Sequence, residues 1–206
     1  MEYPFLSGLG LAVPAGLNAY LPLLIVALTD RFSNRINLDR PYDFLSSNWG
    51  IAILVLLVSV EVIVDKIPGV DHANDLIQSI IRPAAGAFLM MAINSDGGPL
   101  NPVVAMLIGL LAAGSVHAAK ATARPAVTVT TGGLGNPLVS IAEDGFAALM
   151  ALSAILFPLI VLAFLVLLMI AIVWSVRTAR RLVGRTGRPA QSTSGGRGTA
   201  SPTLRQ

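Results

Sequence analysis

The sequence predicts an all-α, polytopic integral membrane protein of about six transmembrane helices, and three observations lead there. Hydrophobic residues make up 54% of the 206-residue chain and charged ones 12%, about half the charged share of an average soluble domain. The apolar residues fall in runs of roughly 20, the length a bilayer core requires. The net charge of +3 sits at one end, where Arg177, Arg180, Arg181, Arg185, Arg188, Arg197 and Arg205 follow the last apolar run. Such a flank marks a cytoplasmic end and is no nucleic-acid footprint, so no nucleic-acid partner is expected. The chain has no cysteine, which removes disulfides and thiolate chemistry.

The spans follow in order. Met1 to Ser7 has no basic n-region and no small-residue cleavage site follows it, so it reads as the approach to a first span and not as a removable signal. That span, Leu9 to Thr29, contains Pro14, Gly16, Asn18, Tyr20 and Pro22. Proline frees a backbone carbonyl that neighbours or water must satisfy; Val13 to Tyr20 is therefore either a kinked packing helix or an unwound segment lining a site. Asp30 to Asn48 is a polar loop whose charges cancel. Trp49 to Val64 is the second span, anchored by Trp49. Pro68-Gly69 is a turn, and Asp71 to Ile93 is the third span, with Asp71, Asp75 and Arg82 on one face and Pro83 as a kink.

Asn94 to Pro99 is a turn without a basic residue, which favours the non-cytoplasmic side. Pro102 to Ala119 is the fourth span, rich in small residues that permit close helix contact, ending in His117, Lys120 and Arg124. The Thr- and Gly-rich stretch Val127 to Asn136 reads as a loop. Pro137 to Val176 is too long for one span and is divided near Phe157-Pro158 into a fifth span, with Glu143 and Asp144 near its start, and a sixth ending at Trp174. Residues 1–183 thus form the membrane domain, and 184–206, polar and rich in Gly, Ser, Thr and Arg, a disordered basic tail. Six spans put both termini in the cytoplasm, making this a multi-pass protein of the cell membrane. A five-span alternative keeps 137–176 as one tilted helix and puts the N-terminus outside.

Charges are confined to a few places. Glu61, Asp65, Lys66, Asp71, His72, Asp75 and Arg82 lie between two apolar runs. An ionised group at the bilayer centre costs roughly 2.5–3.5 kcal/mol on insertion scales, so these groups must meet an interface, a partner or a wet cavity. Laying the second and third spans on the fourth and fifth suggests an internal repeat. Glu61 and Asp65 then fall near His117 and Lys120, and Arg82 near Glu143 and Asp144, with the sign exchanged at both places. Parallel repeats of this kind are known in transporters, and the expectation is that Arg82 pairs with Glu143 or Asp144 across the halves. Glu61 and Asp65, one turn apart, disfavour double ionisation unless Lys66, Lys120 or Arg124, a proton or a metal ion lies between them.

Asp71-His72-x-x-Asp75 has the residue types of a divalent-metal site, but two histidines in the chain fall short of the usual ligand sets; no metal or other cofactor is expected. HExxH, GxSxG, Walker and GxGxxG motifs are absent, so catalysis is not indicated.

Gly16-Leu17-Asn18-Ala19-Tyr20-Leu21-Pro22, Val64-Asp65-Lys66-Ile67-Pro68-Gly69-Val70-Asp71, Arg82-Pro83 and His117-Ala118-Ala119-Lys120-Ala121-x-x-Arg124 occur in this order. With them the chain resembles, over residues 8 to 155, the small bacterial membrane proteins of domain-of-unknown-function 4126. The resemblance implies a compact polytopic domain with Asp65, Lys66, Asp71, His117, Lys120 and Arg124 at its polar centre, and it names no substrate. Two functions are expected in turn. One is a small transporter or channel for an ion or polar solute, with Glu61 or Asp65 coupling to a cation or proton, Lys66, Lys120 and Arg124 holding an anion, and Asn18 in the unwound segment. The other is an accessory subunit or scaffold within a homo-oligomer or a larger membrane complex. An intramembrane enzyme acting on lipid ranks third.

Overall fold

The structure, a computed structural model, describes residues 3–64, 71–95 and 97–186. Among them are seven α-helices: α1 (Pro4–Ala15), α2 (Tyr20–Phe32), α3 (Asn48–Val64), α4 (Asp71–Ser95), α5 (Pro102–Thr131), α6 (Asn136–Leu156) and α7 (Ile160–Thr186), with a 3-10 turn at Tyr42–Ser46 before α3. No strand occurs among the described residues. Leu76–Ser95 of α4, α5 and α6 are long and apolar enough to cross a membrane, while α1, α3 and Ile160–Ala171 of α7 are shorter apolar helices. Helix α1 is the axle. It packs against α4, α5 and α6, and Leu11, Ala12, Val13 and Ala15 are fully or almost fully buried.

The first predicted span is overturned. Gly8 of α1 lies against Met90 and Gly86 lies against Ala12, so α1 runs antiparallel to α4. Glu61 meets Arg82, whereas Tyr42 and Phe44, just before α3, stack edge-on against Phe88; α3 is therefore also antiparallel to α4, and parallel to α1. Just before helix α2, the Ala19 amide is bonded to Glu61 near the end of α3. In the last turn of α2, Arg31 is bonded to the Ser46 carbonyl just before α3 begins. Helix α2 thus runs opposite to α3 and to α1. Instead of one crossing from Leu9 to Thr29, the chain enters as α1, breaks at residues 16–19 and returns as α2. At 12 and 13 residues, the two arms are about 18–20 Å long, short of a 30 Å core.

The remaining helices alternate. Helix α5 packs closely on α4, Gly86 and Gly109 being in backbone contact. Asn94 closes the turn between them, donating to the Leu100 carbonyl at 2.6 Å and accepting from its amide at 3.1 Å. The expected loop at Val127 to Asn136 is shorter than its composition suggests, because α5 continues through Pro125 to Thr131 and only 132–135 turn. The hydroxyls of Thr128, Thr130 and Thr131 bond back to carbonyls four residues earlier, and Gly132 closes the helix in the left-handed conformation (φ 61°), as glycine readily does. The break near Phe157-Pro158 is present. Phe146 stacks on Phe164 at 5.4 Å and Gly10 lies against both Ala154 and Val161; the two levels together make α6 and α7 an antiparallel pair. Helix α7 runs on to Thr186, past the Gly184 boundary; residues 187–206 of the predicted tail lie outside the described residues.

Candidate functional site

At the tip of the hairpin, residues 16–19 leave the helix, which frees the last carbonyls of α1 and the first amides of α2. In a bilayer each such group must find a partner within the protein. Leu17 O accepts a hydrogen bond from Lys120 Nζ at 3.0 Å, so a cation stands at the negative end of α1. The Ala19 amide donates to Glu61 Oε1 at 3.3 Å, so a carboxylate stands at the positive end of α2. Both placements agree in sign with the helix dipoles, which favour such charges by about 0.3–1 kcal/mol, and up to ~2 kcal/mol when partly buried. Asn18, 1% exposed, accepts from the Leu21 amide at 3.0 Å in the manner of an N-cap and donates to Asp144 Oδ1 at 3.0 Å.

Ion pairs on two sides support this tip. On one side Arg82 Nη2 lies 3.1 Å from Glu61 Oε1, with both side chains buried. Arg82 Nη1 lies 3.1 Å from His117 Nδ1, and His117 Nε2 lies 2.9 Å from Ser79 Oγ. A guanidinium only donates, so Nδ1 is the acceptor and the neutral ring carries its proton on Nε2, toward Ser79. On the other side Lys120 Nζ lies 2.9 Å from Glu143 Oε2, and Arg124 Nη2 lies 3.8 Å from the same oxygen. A cavity of about 320 Å³ opens on this second side, walled by Leu17, Ala119, Phe146 and Leu168 among others. The layer is deep. Helix α3 takes 13 residues from Asn48 to reach Glu61, about 20 Å at 1.5 Å per residue.

Of the residues singled out from sequence, Glu61, Arg82, His117, Lys120, Arg124, Glu143, Asp144 and Asn18 are brought together around the hairpin tip. Asp65 and Lys66 lie outside the described residues. So do the side chains of Asp71, His72 and Asp75, although the backbone there opens α4. No cluster of metal-ligating side chains occurs among the described residues. One expected pairing is corrected. Arg82 meets Glu61 and not Glu143 or Asp144, because α3 and α4 place them at one level while α1 and α2 stand between α4 and the acids of α6. Among the described residues the cation beside Glu61 is Arg82; the expected cation between Glu61 and Asp65 involves residues outside the described ones. Sequence reasoning did not find Ser79 or the buried Gln78; they precede Arg82 by three and four residues, the spacing of one helix face.

The family model described as a domain of unknown function (DUF4126) matches residues 5–178. The chain belongs to this family. The DUF4126 match takes in the hairpin, the ion pairs and the apolar part of α7. No curated protein and no solved structure matches the chain at a significant level.

Proposed function

We propose that this DUF4126 protein moves a small ion or polar solute across the cell membrane, using the broken hairpin as its binding element. The observation that carries the reading is a backbone break inside the helix bundle whose carbonyl and amide ends meet buried charges, with a cavity alongside. Irregular backbone in a bilayer is tolerated only where protein buries it or it lines a cavity, and discontinuous helices are the usual way transporters present such ends to solutes. In this reading helices α3 to α7 are five spans and α1–α2 a re-entrant hairpin. The end of α7, where the arginines cluster, is cytoplasmic by the positive-inside rule. The sign exchange between the α3–α4 and α5–α6 pairs supports a parallel repeat, each half serving one end of the break.

Purified protein in vesicles, under pH and ion gradients, tests this. Wild type should give a measurable flux, and Glu61→Gln, which keeps volume and an acceptor for Ala19, should reduce it at least tenfold while remaining folded. A wild type silent toward every ion and small solute tried would end the transport reading.

One observation favours a second reading, an accessory subunit. The described charges hold the hairpin in place, and Phe44 and Trp49 stand exposed beside an apolar cleft of about 390 Å³ suited to a partner helix. On that reading vesicles give no flux, and a partner co-purifies after gentle extraction.

A further inference from the structure

We infer that the apolar cleft between α2, α3 and α4 is a phospholipid site, in which one acyl chain lies along α3 and the phosphate is held by Arg31 at the cleft's mouth. The inference stands apart from the transport reading and gives the cleft an occupant other than the partner helix of the second reading.

The cleft, of about 390 Å³, is walled by Leu23, Leu45, Ile53, Leu54, Leu57 and Phe88, the apolar and aromatic lining usual in small-molecule sites. Its two ends differ. Ser47 and Trp49 line one end and Tyr20 the other. From Trp49 to Leu57 is about 12 Å along α3 at 1.5 Å per residue, so the cleft is elongated with the helix. Trp49 is 81% exposed, as an aromatic anchor at a membrane interface is. The rim carries Phe44 and Ile53, both more than half exposed, which an apolar chain covers favourably. Tyr20 closes the inner end next to Ala19, whose amide meets Glu61; the chain therefore ends beside the hairpin tip.

What selects a phospholipid over a partner helix is the charge at the mouth. Arg31 Nη1 donates to Ser46 O at 2.9 Å, one residue from Ser47 of the cleft wall, and the guanidinium lies 5.9 Å from the Phe32 ring centroid. Two contacts thus position an exposed cation there. A guanidinium carries five donors in a planar fork that matches phosphate oxygens. Asp30 and Asp43, the acids that adjoin Arg31 and Phe44, are engaged within the loop: Asp30 accepts from the Leu38 amide at 2.7 Å and from Ser46 Oγ, and Asp43 pairs with Arg40. An apolar slot with a cation at its interfacial end matches the division of a phospholipid into acyl chain and phosphate.

Thermal unfolding of the purified full-length protein in mild detergent tests this, with dioleoyl phosphatidylglycerol, dioleoylglycerol or glycerol phosphate added. The phospholipid should raise the wild-type midpoint by about 3 °C or more. Dioleoylglycerol, which lacks the phosphate, should give less than a third of that rise, and glycerol phosphate, which lacks the chains, none. Ile53→Trp, which fills the cleft from its exposed rim, and Arg31→Gln, which can still donate to Ser46 O, should each lose at least two thirds of the response. Leu56→Trp, also exposed but not lining the cleft, and Arg31→Lys, which keeps the charge, should each retain at least half. A silent wild type, an equal response to dioleoylglycerol, a response to glycerol phosphate alone, or a full response in Ile53→Trp or Arg31→Gln overturns the inference. Should Ile53→Trp fail to accumulate, Arg31→Gln carries the test by itself. A protein that co-purifies with wild type and is shed by Ile53→Trp, with no response to lipid in either, gives the cleft to a partner helix and overturns the inference equally.

Discussion

Glu61 Oε1 accepts from two donors, the Ala19 amide at 3.3 Å and Arg82 at 3.1 Å, so the two partners of this pair are not equivalent. Removing the cation, as Arg82→Met, leaves a buried carboxylate without this guanidinium and should cost roughly 3–5 kcal/mol. Glu61→Gln keeps an acceptor for both donors and should cost less, about 1–3 kcal/mol. The double variant should lose less than the sum, a coupling that a cycle of melts measures. Combining Arg82→Glu with Glu143→Lys should restore nothing, because Glu143 meets Lys120 and Arg124; recovery would contradict the described pairing. At His117, nitrogen-15 spectra should report a neutral ring protonated on Nε2, since Nδ1 accepts from Arg82. A proton found on Nδ1 would exclude that bond.

Among the elements, the α4–α5 contact depends on having no side chain at its centre. A Cβ added at Gly86 would stand 2.7 Å from Gly109 O and in closer conflict with the Ala113 side chain. Gly86→Ala should therefore destabilise by about 1–3 kcal/mol as overpacking does, despite the gain of about 0.5–1 kcal/mol that alanine brings to a helix interior. Gly114, whose nearest neighbour would be Pro83 Cγ at 3.6 Å, should tolerate alanine or gain from it; equal losses at both positions would mean that the helices do not cross as described. The small residues of α5 announced this contact in the sequence, hydropathy placed α3, α4 and α6, and the excess length of 137–176 with Pro158 placed the break before α7. The direction of α2 was not legible. Leu9 to Thr29 has the length and apolarity of one span, and what turns it back is supplied from far along the chain: Glu61, Lys120 and Asp144 lie 42, 103 and 126 residues from their partners in the tip. Pro14, Gly16 and Asn18 marked where the helix breaks, but not which way it leaves.

Across the whole molecule, the charge exchange noted in the sequence acquires a physical reason. A broken hairpin presents a carbonyl end and an amide end, and these require opposite charges; α5 supplies Lys120 to the first and α3 supplies Glu61 to the second. The sequence carried the signs but not the pairing, because Arg82 has acids on both α3 and α6 within its pattern and only the helix order decides between them. That order depends on the hairpin, which makes the reversal of α1 and α2 the central claim. The chain has no cysteine, so single cysteines labelled with a membrane-impermeant thiol reagent in oriented vesicles test it directly. Tyr3→Cys, before α1, and Gly97→Cys, between α4 and α5, should label from one side, and Leu134→Cys, between α5 and α6, from the other. Labelling of positions 3 and 97 from opposite sides would mean that α1 and α2 cross the membrane once, and would contradict the re-entrant hairpin.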